Sequence, residues 1–196
     1  MVETRIRAAV LAGGLGSRLG GEKALAMVAG KPLVSYPVEA ARAAGLETVI
    51  VAKPETELPD LGVAVLREPS EPRHPLCGVL AALDARRGDV LALACDMPFM
   101  SPGLLEWMAA AEGALVIEAA DRLQPLPGRY PAVSRDRIAE AIEREEPMGA
   151  TLAALRARRV GATELERFGE PSRMLFNVNE PVDLRYAERM LQIPAG

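Results

Sequence analysis

Apolar residues along this chain fall into short runs separated by amphipathic stretches, a pattern that predicts alternating strands and helices. The predicted strands are 8–12, 47–52, 63–66, 89–94 and 114–119. The predicted helices are 32–44, 75–87, 101–111, 134–145 and 151–158. Apolar strands separated by helices are typical of a mostly parallel sheet with helices on both faces. We therefore predict one α/β domain over residues 1–196, a Rossmann-like three-layer sandwich around that sheet.

A glycine-rich loop follows the first predicted strand directly. Its glycines are Gly13, Gly14, Gly16, Gly20 and Gly21. Such a loop exposes backbone N–H groups and lets a ligand approach them, and the charges of Arg18 and Lys23 favour a polyphosphate. Only 3 of the 23 basic residues are lysines, so Lys23 departs from the chain's preference for arginine. A compact ammonium suits a phosphate oxygen at short range.

The spacing of the loop separates several interpretations. A dinucleotide-binding fingerprint needs a third glycine where Leu19 stands. A Walker loop needs lysine and then serine or threonine directly after its glycine, but Gly21 is followed by Glu22, Lys23 and Ala24. A flexible turn without a ligand is the structural alternative. The pattern Leu-Ala-Gly-Gly, Ser-Arg, Gly-Gly-Glu-Lys instead resembles the signature loop of nucleotidyltransferases, which join a nucleoside monophosphate to a phosphorylated acceptor.

Composition excludes several classes of function. The formal net charge is −4 and there is no basic tract, so a nucleic-acid partner is not expected. No apolar run approaches the roughly 18 residues of a membrane span, and the charged start of the chain does not resemble a secretory signal. We therefore expect a cytoplasmic protein without a membrane partner. Cys77 and Cys95 are isolated, which predicts reduced structural thiols and no zinc site.

A second informative group of residues follows the apolar strand at 89–94. The sequence Cys-Asp-Met-Pro sets Asp96 at the end of a buried strand, with Pro98 two residues later. Because ligands of parallel α/β sheets bind at the carboxyl ends of the strands, Asp96 is expected beside the glycine loop. Nucleotide phosphates bring Mg²⁺, which prefers hard oxygen ligands, so we predict Asp96 as its ligand. The alternative role of a helix cap falls to Ser101, which precedes Pro102.

Both asparagines of the chain, Asn177 and Asn179, lie two positions apart. In an extended segment this spacing directs both amides to one side. The segment has the pattern Phe-Asn-Val-Asn-x-Pro-x-Asp-Leu. Together with Leu-Ala-Gly-Gly and Cys-Asp-Met-Pro in this order, it resembles the molybdenum cofactor guanylyltransferase family over nearly the full chain. The resemblance implies a fold of the nucleotide-diphospho-sugar transferase type.

The same resemblance implies an activity and a set of site residues. It implies transfer of GMP from GTP to the terminal phosphate of molybdopterin or its molybdenum-loaded form, with Mg²⁺ as cofactor and release of pyrophosphate. Catalysis is assigned to Arg18, Lys23 and Asp96, with Asp96 as the metal ligand, and the acceptor side to Asn177 and Asn179. The implied nucleotide contacts are Leu11, Ala12, Gly13, Gly14, Lys23, Glu68 and Asp96. Transient contact with cofactor-assembly proteins is also implied.

A few positions depart from the family pattern or bear on the choice of nucleotide. Lys53 stands where many members have asparagine, Glu68 stands near an expected aspartate, and His74 replaces the first glycine of Gly-Pro-Leu-x-Gly. Relatives that use CTP tend to carry Ala-Ala-Gly at 12–14, so Gly13, which lacks a Cβ, favours the larger purine. A catalytic base such as His74 is not required, because the acceptor phosphate has a second pKa of about 6 and is ionised at neutral pH.

The residues leave two other functions open. One is cytidylyl or guanylyl transfer to another phosphorylated acceptor, and the other is a non-catalytic module that binds GTP. The stretch 121–130 is expected to face the acceptor. Within it, Arg122 or Arg129 either contacts the acceptor phosphate or lies on the solvated surface.

Overall fold

The computed structural model describes residues 6–13, 23–72, 74–86, 88–119 and 122–192. The strands in this part of the chain are β1 (Arg7–Leu11), β2 (Met27–Val28), β3 (Lys31–Pro32), β4 (Glu47–Ala52), β5 (Ala64–Arg67), β6 (Val90–Ala94), β7 (Leu115–Ala119), β8 (Arg122–Tyr130) and β9 (Arg158–Val160). The α-helices are α1 (Ser35–Ala43), α2 (Cys77–Ala85), α3 (Pro102–Ala110), α4 (Arg135–Glu143), α5 (Met148–Ala154), α6 (Ala162–Leu165), α7 (Pro171–Met174) and α8 (Pro181–Gln192). Of the helices within these ranges, none has the length and apolarity needed to cross a bilayer.

One seven-stranded sheet forms the centre of the fold, in the order β5-β4-β1-β6-β8-β7-β9. Strand β1 pairs in parallel with β4 and β6, and β4 pairs in parallel with β5. Strand β8 runs antiparallel to both of its neighbours, β6 and β7, while β9 pairs in parallel with β7. The other six strands of the sheet therefore end at the same edge. The predicted α/β class with a mostly parallel sheet is confirmed.

Alternating side chains of the central strands bury two apolar cores, one on each face of the sheet. Ala8 and Val10 of β1 pack on one face with residues of α1 and α3, among them Val38 and Leu104. Ala9 packs on the other face with residues of α2, α4 and α5. Because successive side chains of a strand point to opposite faces, a strand covered on both sides has an unbroken apolar sequence. The three-layer arrangement follows from this pattern.

A short antiparallel hairpin, β2–β3, lies outside the main sheet. Its two turn residues, Ala29 and Gly30, have φ values of 47° and 79°. Positive φ at both positions is typical of the type I′ turn of two-residue hairpins. The hairpin packs against α8 through a small apolar cluster around Val28, Leu33 and Ala187. The cluster thereby joins an early segment of the chain to a late one.

The bounds of the five predicted helices differ from those observed, and the differences are largest at α1 and α5. The helix predicted from Pro32 begins at Ser35, because Pro32 pairs with Met27 in the hairpin. The helix predicted over 151–158 is α5, which begins earlier and ends at Ala154, so that 158–160 forms β9 at the edge of the sheet. Helices α2, α3 and α4 are each shorter than predicted by one or two residues at both ends. Differences of that size are ordinary at helix ends.

Strand β8 is the largest difference from the sequence prediction. The stretch 121–130 was expected to face the acceptor. All but its first residue form β8, a nine-residue strand that lies between β6 and β7 in the sheet. Its pairing with β7 shifts register, because Val116 pairs with Gly128 whereas Ile117 pairs with Gln124. Pro125 and Pro127 lie in the resulting bulge, where no ladder N–H is needed. The two prolines therefore lie in an irregular strand, which was not among the predicted strands.

Candidate active site

Two loops meet at the carboxyl edge of the sheet because the strands before them are neighbours. Leu11, the last residue of β1, pairs with Ala94, the last residue of β6. The Cys95 N–H then donates to the Leu11 carbonyl oxygen at 3.2 Å. Gly13 and Asp96 consequently leave the sheet from adjacent strands, which is the arrangement that the sequence predicts for them.

A polar cluster of Lys23, Asp96 and Asn179 lies at this edge. Lys23 Nζ forms an ion pair with Asp96 Oδ2 and donates a hydrogen bond of 2.7 Å to Asn179 Oδ1. The two charged side chains are largely buried, with 15% of Lys23 and 14% of Asp96 exposed. Buried charges are screened by salt much less than exposed ones. The cluster therefore holds one positive and one negative charge where solvent screens them little.

Backbone hydrogen bonds fix Asn179 in this cluster. The Val178 N–H donates to the Asp96 carbonyl oxygen at 2.9 Å. The N–H groups of Asn179 and Glu180 both donate to Asp183 Oδ2 at 2.8 Å. A carboxylate in the first turn of a helix satisfies N–H groups that the helix itself leaves free. Asp183 thus fixes the backbone just before α8, and this backbone positions Asn179.

A cavity of about 420 Å³ opens beside the cluster. Its lining includes Leu11, Gly13, Lys23, Glu68 and Asp96, all of them predicted nucleotide contacts. Much of the remaining lining is apolar, from prolines and aliphatic side chains. A concave, mostly apolar surface with a few charged groups is typical of a small-molecule site. The geometry therefore groups these five residues around one space.

Glu68 brings a buried carboxylate to the cavity, and only 8% of the residue is exposed. Burial raises the pKa of this carboxyl group above its usual value, and the nearby Lys53 offsets the rise in part. A Cβ on Gly13 would overlap Glu68 Oε1, and a Cβ on Gly78 would lie 3.1 Å from Glu68 Oε2. The absence of a side chain at Gly13 thus makes room for Glu68, and the preference for a purine inferred from Gly13 stays a prediction.

Asp96 keeps one carboxylate oxygen available for a further partner. Its Oδ1 is buried and has no hydrogen-bond partner within the described residues, whereas Oδ2 pairs with Lys23. A buried acceptor without a partner is costly, so a cation at Oδ1 is favoured. Among the residues that the structure covers, no three His, Cys, Asp or Glu side chains are grouped to hold a metal. One carboxylate suits a metal such as Mg²⁺ that takes its other ligands from phosphates and water.

The glycine loop is described only at its two ends. Ala12 precedes it, and its N–H donates to the Val51 carbonyl oxygen at 2.7 Å. This N–H is therefore bonded within the sheet, and any contact of Ala12 with a nucleotide, which stays a prediction, would use its other atoms. Gly14 and Arg18, predicted to bind phosphate, lie outside the described residues.

The two asparagines do not act alike. Asn179 reaches Lys23, but Asn177 Nδ2 donates to the Leu175 carbonyl oxygen at 2.9 Å within its own segment. The spacing predicts that both amides point to one side of the chain. The amide of Asn177 instead forms a hydrogen bond to the backbone of its own segment. The amide group of Asn177 therefore stabilises the segment that carries Asn179.

Arg129 is a structural residue in β8, which excludes the acceptor contact considered for it. Its guanidinium donates to Asp89 Oδ2 and to the Gly113 carbonyl oxygen, each at 2.5 Å, and 7% of the residue is exposed. Asp89 Oδ1 accepts from the Ala132 N–H at 2.9 Å. Since Asp89 precedes β6, this buried ion pair lies at the opposite edge of the sheet from Asp96. Arg122 lies at the exposed start of β8, and its contact with the acceptor phosphate stays a prediction.

Two residues that contribute to the site were not predicted. Leu126 lines the cavity from the bulge of β8, and its signal in the sequence is an apolar residue between two prolines. Asp183 positions Asn179 indirectly. Its signal is an acidic residue three positions after Glu180, in the first turn of what the structure shows to be α8.

Both cysteines are buried and free. Burial raises the pKa of the Cys95 thiol to about 12 and also raises that of Cys77. Thiols with raised pKa values are protonated at neutral pH and are poor nucleophiles. The prediction of structural thiols is in agreement with these surroundings.

Comparison with known proteins identifies the family. The family model of the MobA-like NTP transferase domain matches residues 8–163. The chain belongs to the MobA-like NTP transferase family. It is 36% identical to a molybdenum cofactor guanylyltransferase of Cereibacter sphaeroides, over 96% of this chain and 98% of the relative. It is 34% identical to a probable molybdenum cofactor guanylyltransferase of Thermococcus kodakarensis, over 90% of this chain and 91% of the relative.

Solved structures share the fold of this chain. A molybdopterin-guanine dinucleotide biosynthesis protein A from Archaeoglobus fulgidus superposes with a TM-score of 0.81 at 28% identity, over 95% of this chain and 98% of that one. A 2-C-methyl-D-erythritol 4-phosphate cytidylyltransferase from Thermus thermophilus has a TM-score of 0.71 at 22% identity, over 96% of this chain and 100% of that one, and shows the fold alone. This member of the MobA-like family is therefore a nucleotidyltransferase, as the glycine loop predicts.

Proposed function

We propose that this protein transfers GMP from GTP to the terminal phosphate of molybdopterin, or of its molybdenum-loaded form, and releases pyrophosphate. The observation that carries the proposal is one cavity lined both by the buried Glu68 carboxylate and by the Lys23–Asp96 cluster. The carboxylate suits the guanine base, and the charged cluster suits the phosphates. The names of the relatives from Cereibacter sphaeroides and Thermococcus kodakarensis support the choice of acceptor.

The base of GTP binds at Glu68 in this proposal. Guanine presents two adjacent donors, N1–H and the 2-amino group, and a carboxylate offers two acceptors at matching spacing. The burial of Glu68 favours such a partner, because an ionised carboxylate removed from water needs hydrogen bonds to replace its solvation. Lys53 also lines the cavity, and its ammonium donates to the Ser70 carbonyl oxygen at 3.0 Å. Lys53 thereby places a positive charge near Glu68.

The phosphates of GTP bind near Lys23 and Asp96. Asp96 would hold Mg²⁺ through Oδ1, and when bound the metal supplies charge neutralisation and orientation of the phosphate oxygens. Lys23 pairs with Asp96 through Oδ2, so its ammonium is already beside the position that a phosphate oxygen would take. By sequence we also assign phosphate binding to Gly14 and Arg18, and backbone contacts to Leu11 and Gly13.

The transfer replaces one phosphoanhydride bond with another. An oxygen of the acceptor phosphate forms a bond to the α-phosphorus of GTP, and the bond from that phosphorus to the bridging oxygen of the β-phosphate breaks. Pyrophosphate leaves with the electron pair. The attacking oxygen is ionised at neutral pH, since the second pKa of a phosphate monoester is about 6, so no side chain has to remove a proton. The protein instead offsets the repulsion between two anions, and Asn179 holds the ammonium of Lys23 on the side proposed for the acceptor.

Incubation of the protein with molybdopterin, Mg²⁺ and each of GTP, CTP, ATP and UTP tests the proposal. We expect release of pyrophosphate with GTP and formation of a product with the mass of the guanine dinucleotide. Asp96→Asn is expected to lower the rate at least about 100-fold, because it removes a charge at the reacting phosphates. Asp84→Asn is the matched control, since Asp84 pairs with Arg135 on the surface.

The same assay separates the other functions. A preference for CTP would establish cytidylyl transfer, and release of pyrophosphate only with a different phosphorylated acceptor would refute the choice of molybdopterin. Binding of GTP without pyrophosphate release from any acceptor would instead establish a binding module. Full activity of Asp96→Asn would refute the assignment of the metal to Asp96.

A further inference from the structure

Both ring nitrogens of His74 are used in hydrogen bonds to the backbone. Nδ1 lies 3.2 Å from the N–H nitrogen of Leu76, and Nε2 lies 3.1 Å from the carbonyl oxygen of Glu146. A backbone N–H can only donate and a carbonyl oxygen can only accept, so Nδ1 has no proton and Nε2 carries one. Neither nitrogen of His74 is therefore free to act on a substrate.

The two hydrogen bonds of His74 connect the wall of the cavity to a different part of the fold. His74 lines the cavity, and its carbonyl oxygen accepts from the Cys77 N–H at 3.0 Å, in the first turn of α2. Glu146, the second partner of the ring, lies between α4 and α5. The ring therefore joins two segments that are 72 residues apart in sequence.

The connection between α4 and α5 is itself firmly held, which makes it a suitable anchor. The Glu146 carboxylate accepts from Arg137 Nη2 at 2.5 Å and 2.6 Å and from Thr151 Oγ1 at 3.3 Å. The carboxylate thus contacts residues of both helices. Because side-chain bonds fix Glu146, its carbonyl oxygen is a defined acceptor for His74.

The wall that His74 anchors faces Glu68. Gly78 lies so close to Glu68 that an added Cβ would be 3.1 Å from Oε2. A small displacement of this wall would change the space available to the carboxylate and to a base beside it. Since geometry of this kind decides how well a preformed pocket binds, fixing the wall preserves affinity.

We propose that His74 is a positioning residue, which anchors the wall 74–78 to the α4–α5 connection and so holds the cavity in the shape that binds the base of GTP. The inference rests on the proposed function for its effect on GTP, but the anchoring itself does not. His74 contacts no reacting atom. Its loss should therefore raise KM for GTP and leave kcat nearly unchanged.

Two substitutions separate the two hydrogen bonds of the ring. In His74→Asn the side-chain oxygen can still accept from the N–H two residues later, but the side chain is too short to reach Glu146. In His74→Gln the longer side chain can donate to Glu146, whereas the local bond to Leu76 is lost. We expect GTP to bind about three- to tenfold more weakly to His74→Asn, the effect of one hydrogen bond, and within about twofold of the original protein to His74→Gln.

Hydrogen exchange of the protein without nucleotide provides a second measurement. Amides of 74–80 and 146–151 should exchange faster in His74→Asn than in His74→Gln, because the first variant lacks the connection between these segments. Thr48→Val is the control for a general loss of stability. It removes a side-chain hydrogen bond to the Leu46 carbonyl oxygen near the start of β4, away from the cavity, and should leave GTP affinity unchanged.

The outcomes distinguish this inference from the proposed function. Equal GTP affinity and equal exchange in both His74 variants would overturn the inference alone, as would a lower kcat in His74→Asn at unchanged KM. Failure of the original protein to bind GTP would refute the proposed function and the effect on GTP together. Faster exchange confined to His74→Asn would still establish the anchoring in that case.

Discussion

Replacement of Glu68 by glutamine is expected to stabilise the fold and to weaken GTP binding. Glu68 is 8% exposed, and burial raises the pKa of its carboxyl group above the ordinary 4.5. A raised pKa in the folded state means that the folded protein holds this proton more tightly than the unfolded chain. The ionised carboxylate at neutral pH therefore lowers stability, and a neutral amide of similar shape removes that cost.

The sign of the pH dependence follows from the same shift. Below about pH 4.5 the carboxyl group is protonated in both states and contributes nothing to the difference. As the pH rises through the window between 4.5 and the raised pKa of the folded state, the unfolded chain ionises first and stability falls. Denaturant unfolding of the original protein and of Glu68→Gln at several pH values should show similar stabilities at low pH and a more stable variant at neutral pH.

The loss of affinity in Glu68→Gln can be estimated from the hydrogen bonds to guanine. A carboxylate accepts from both N1–H and the 2-amino group, whereas glutamine keeps one acceptor and turns an NH₂ donor towards a donor of the base. Loss of one charge-assisted hydrogen bond costs about 1.5–3 kcal/mol, which weakens GTP binding by roughly 10- to 150-fold. Binding is measured by calorimetric titration of GTP and of ITP, which lacks the 2-amino group.

The titrations include a control and a refuting result. The original protein should prefer GTP to ITP, and this preference should shrink in Glu68→Gln. Glu68→Asp keeps the charge and should retain more of the preference than Glu68→Gln does. Unchanged GTP affinity and an unchanged preference in Glu68→Gln would show that the base binds elsewhere.

Three further perturbations test other parts of the site and the fold. Lys23→Ala should lower the rate of pyrophosphate release by about 100- to 1,000-fold, as expected for a charge at the reacting phosphates. The substitution also leaves the buried carboxylate of Asp96 without its ammonium and should lower stability, so the rate is measured on folded protein well below the unfolding transition; an unaffected rate removes Lys23 from the mechanism. Gly13→Ala should displace the flexible end of the Glu68 side chain. We expect GTP to bind about tenfold or more weakly in the calorimetric titration, while the free energy of unfolding changes by less than about 1 kcal/mol. Asp89→Ala leaves the guanidinium of Arg129 buried without its carboxylate and should cost about 3 kcal/mol in denaturant unfolding; a loss below about 1 kcal/mol would contradict the structural role of this pair.

Local signals in the sequence were sufficient for the parallel part of the fold. The apolar runs that became β1, β4 and β6 are covered on both faces, so their composition alone distinguishes them from surface strands. The adjacency of Gly13 and Asp96 also followed, because the carboxyl ends of parallel strands share an edge. The family, the fold class and the nucleotidyltransferase activity were predicted from motifs that lie at these strand ends, and they were confirmed.

Long-range pairing decided what the sequence could not predict. No strand was predicted for the stretch that holds Pro125 and Pro127, and only its register with β7 reveals a strand with a bulge there. Arg129 looks like a free surface charge until Asp89, at the start of β6, is brought beside it. Likewise, the side chain that lies beside Gly13 comes from Glu68, 55 positions along the chain. Such contacts depend on topology, which local periodicity does not specify.

The hydrogen bond between Lys23 and Asn179 has a consequence for how the protein is made. It joins residues 156 positions apart, and the Val178 N–H meets the Asp96 carbonyl oxygen in the same segment. A nascent chain synthesised only as far as β9 already contains every strand described for the main sheet, but not the segment that completes the polar cluster. Because chains emerge from the ribosome amino end first, the sheet can assemble before the cluster does. A prematurely terminated chain would therefore contain these strands but lack both the finished site and core residues such as Leu165 and Met174, so activity requires synthesis of the last segment.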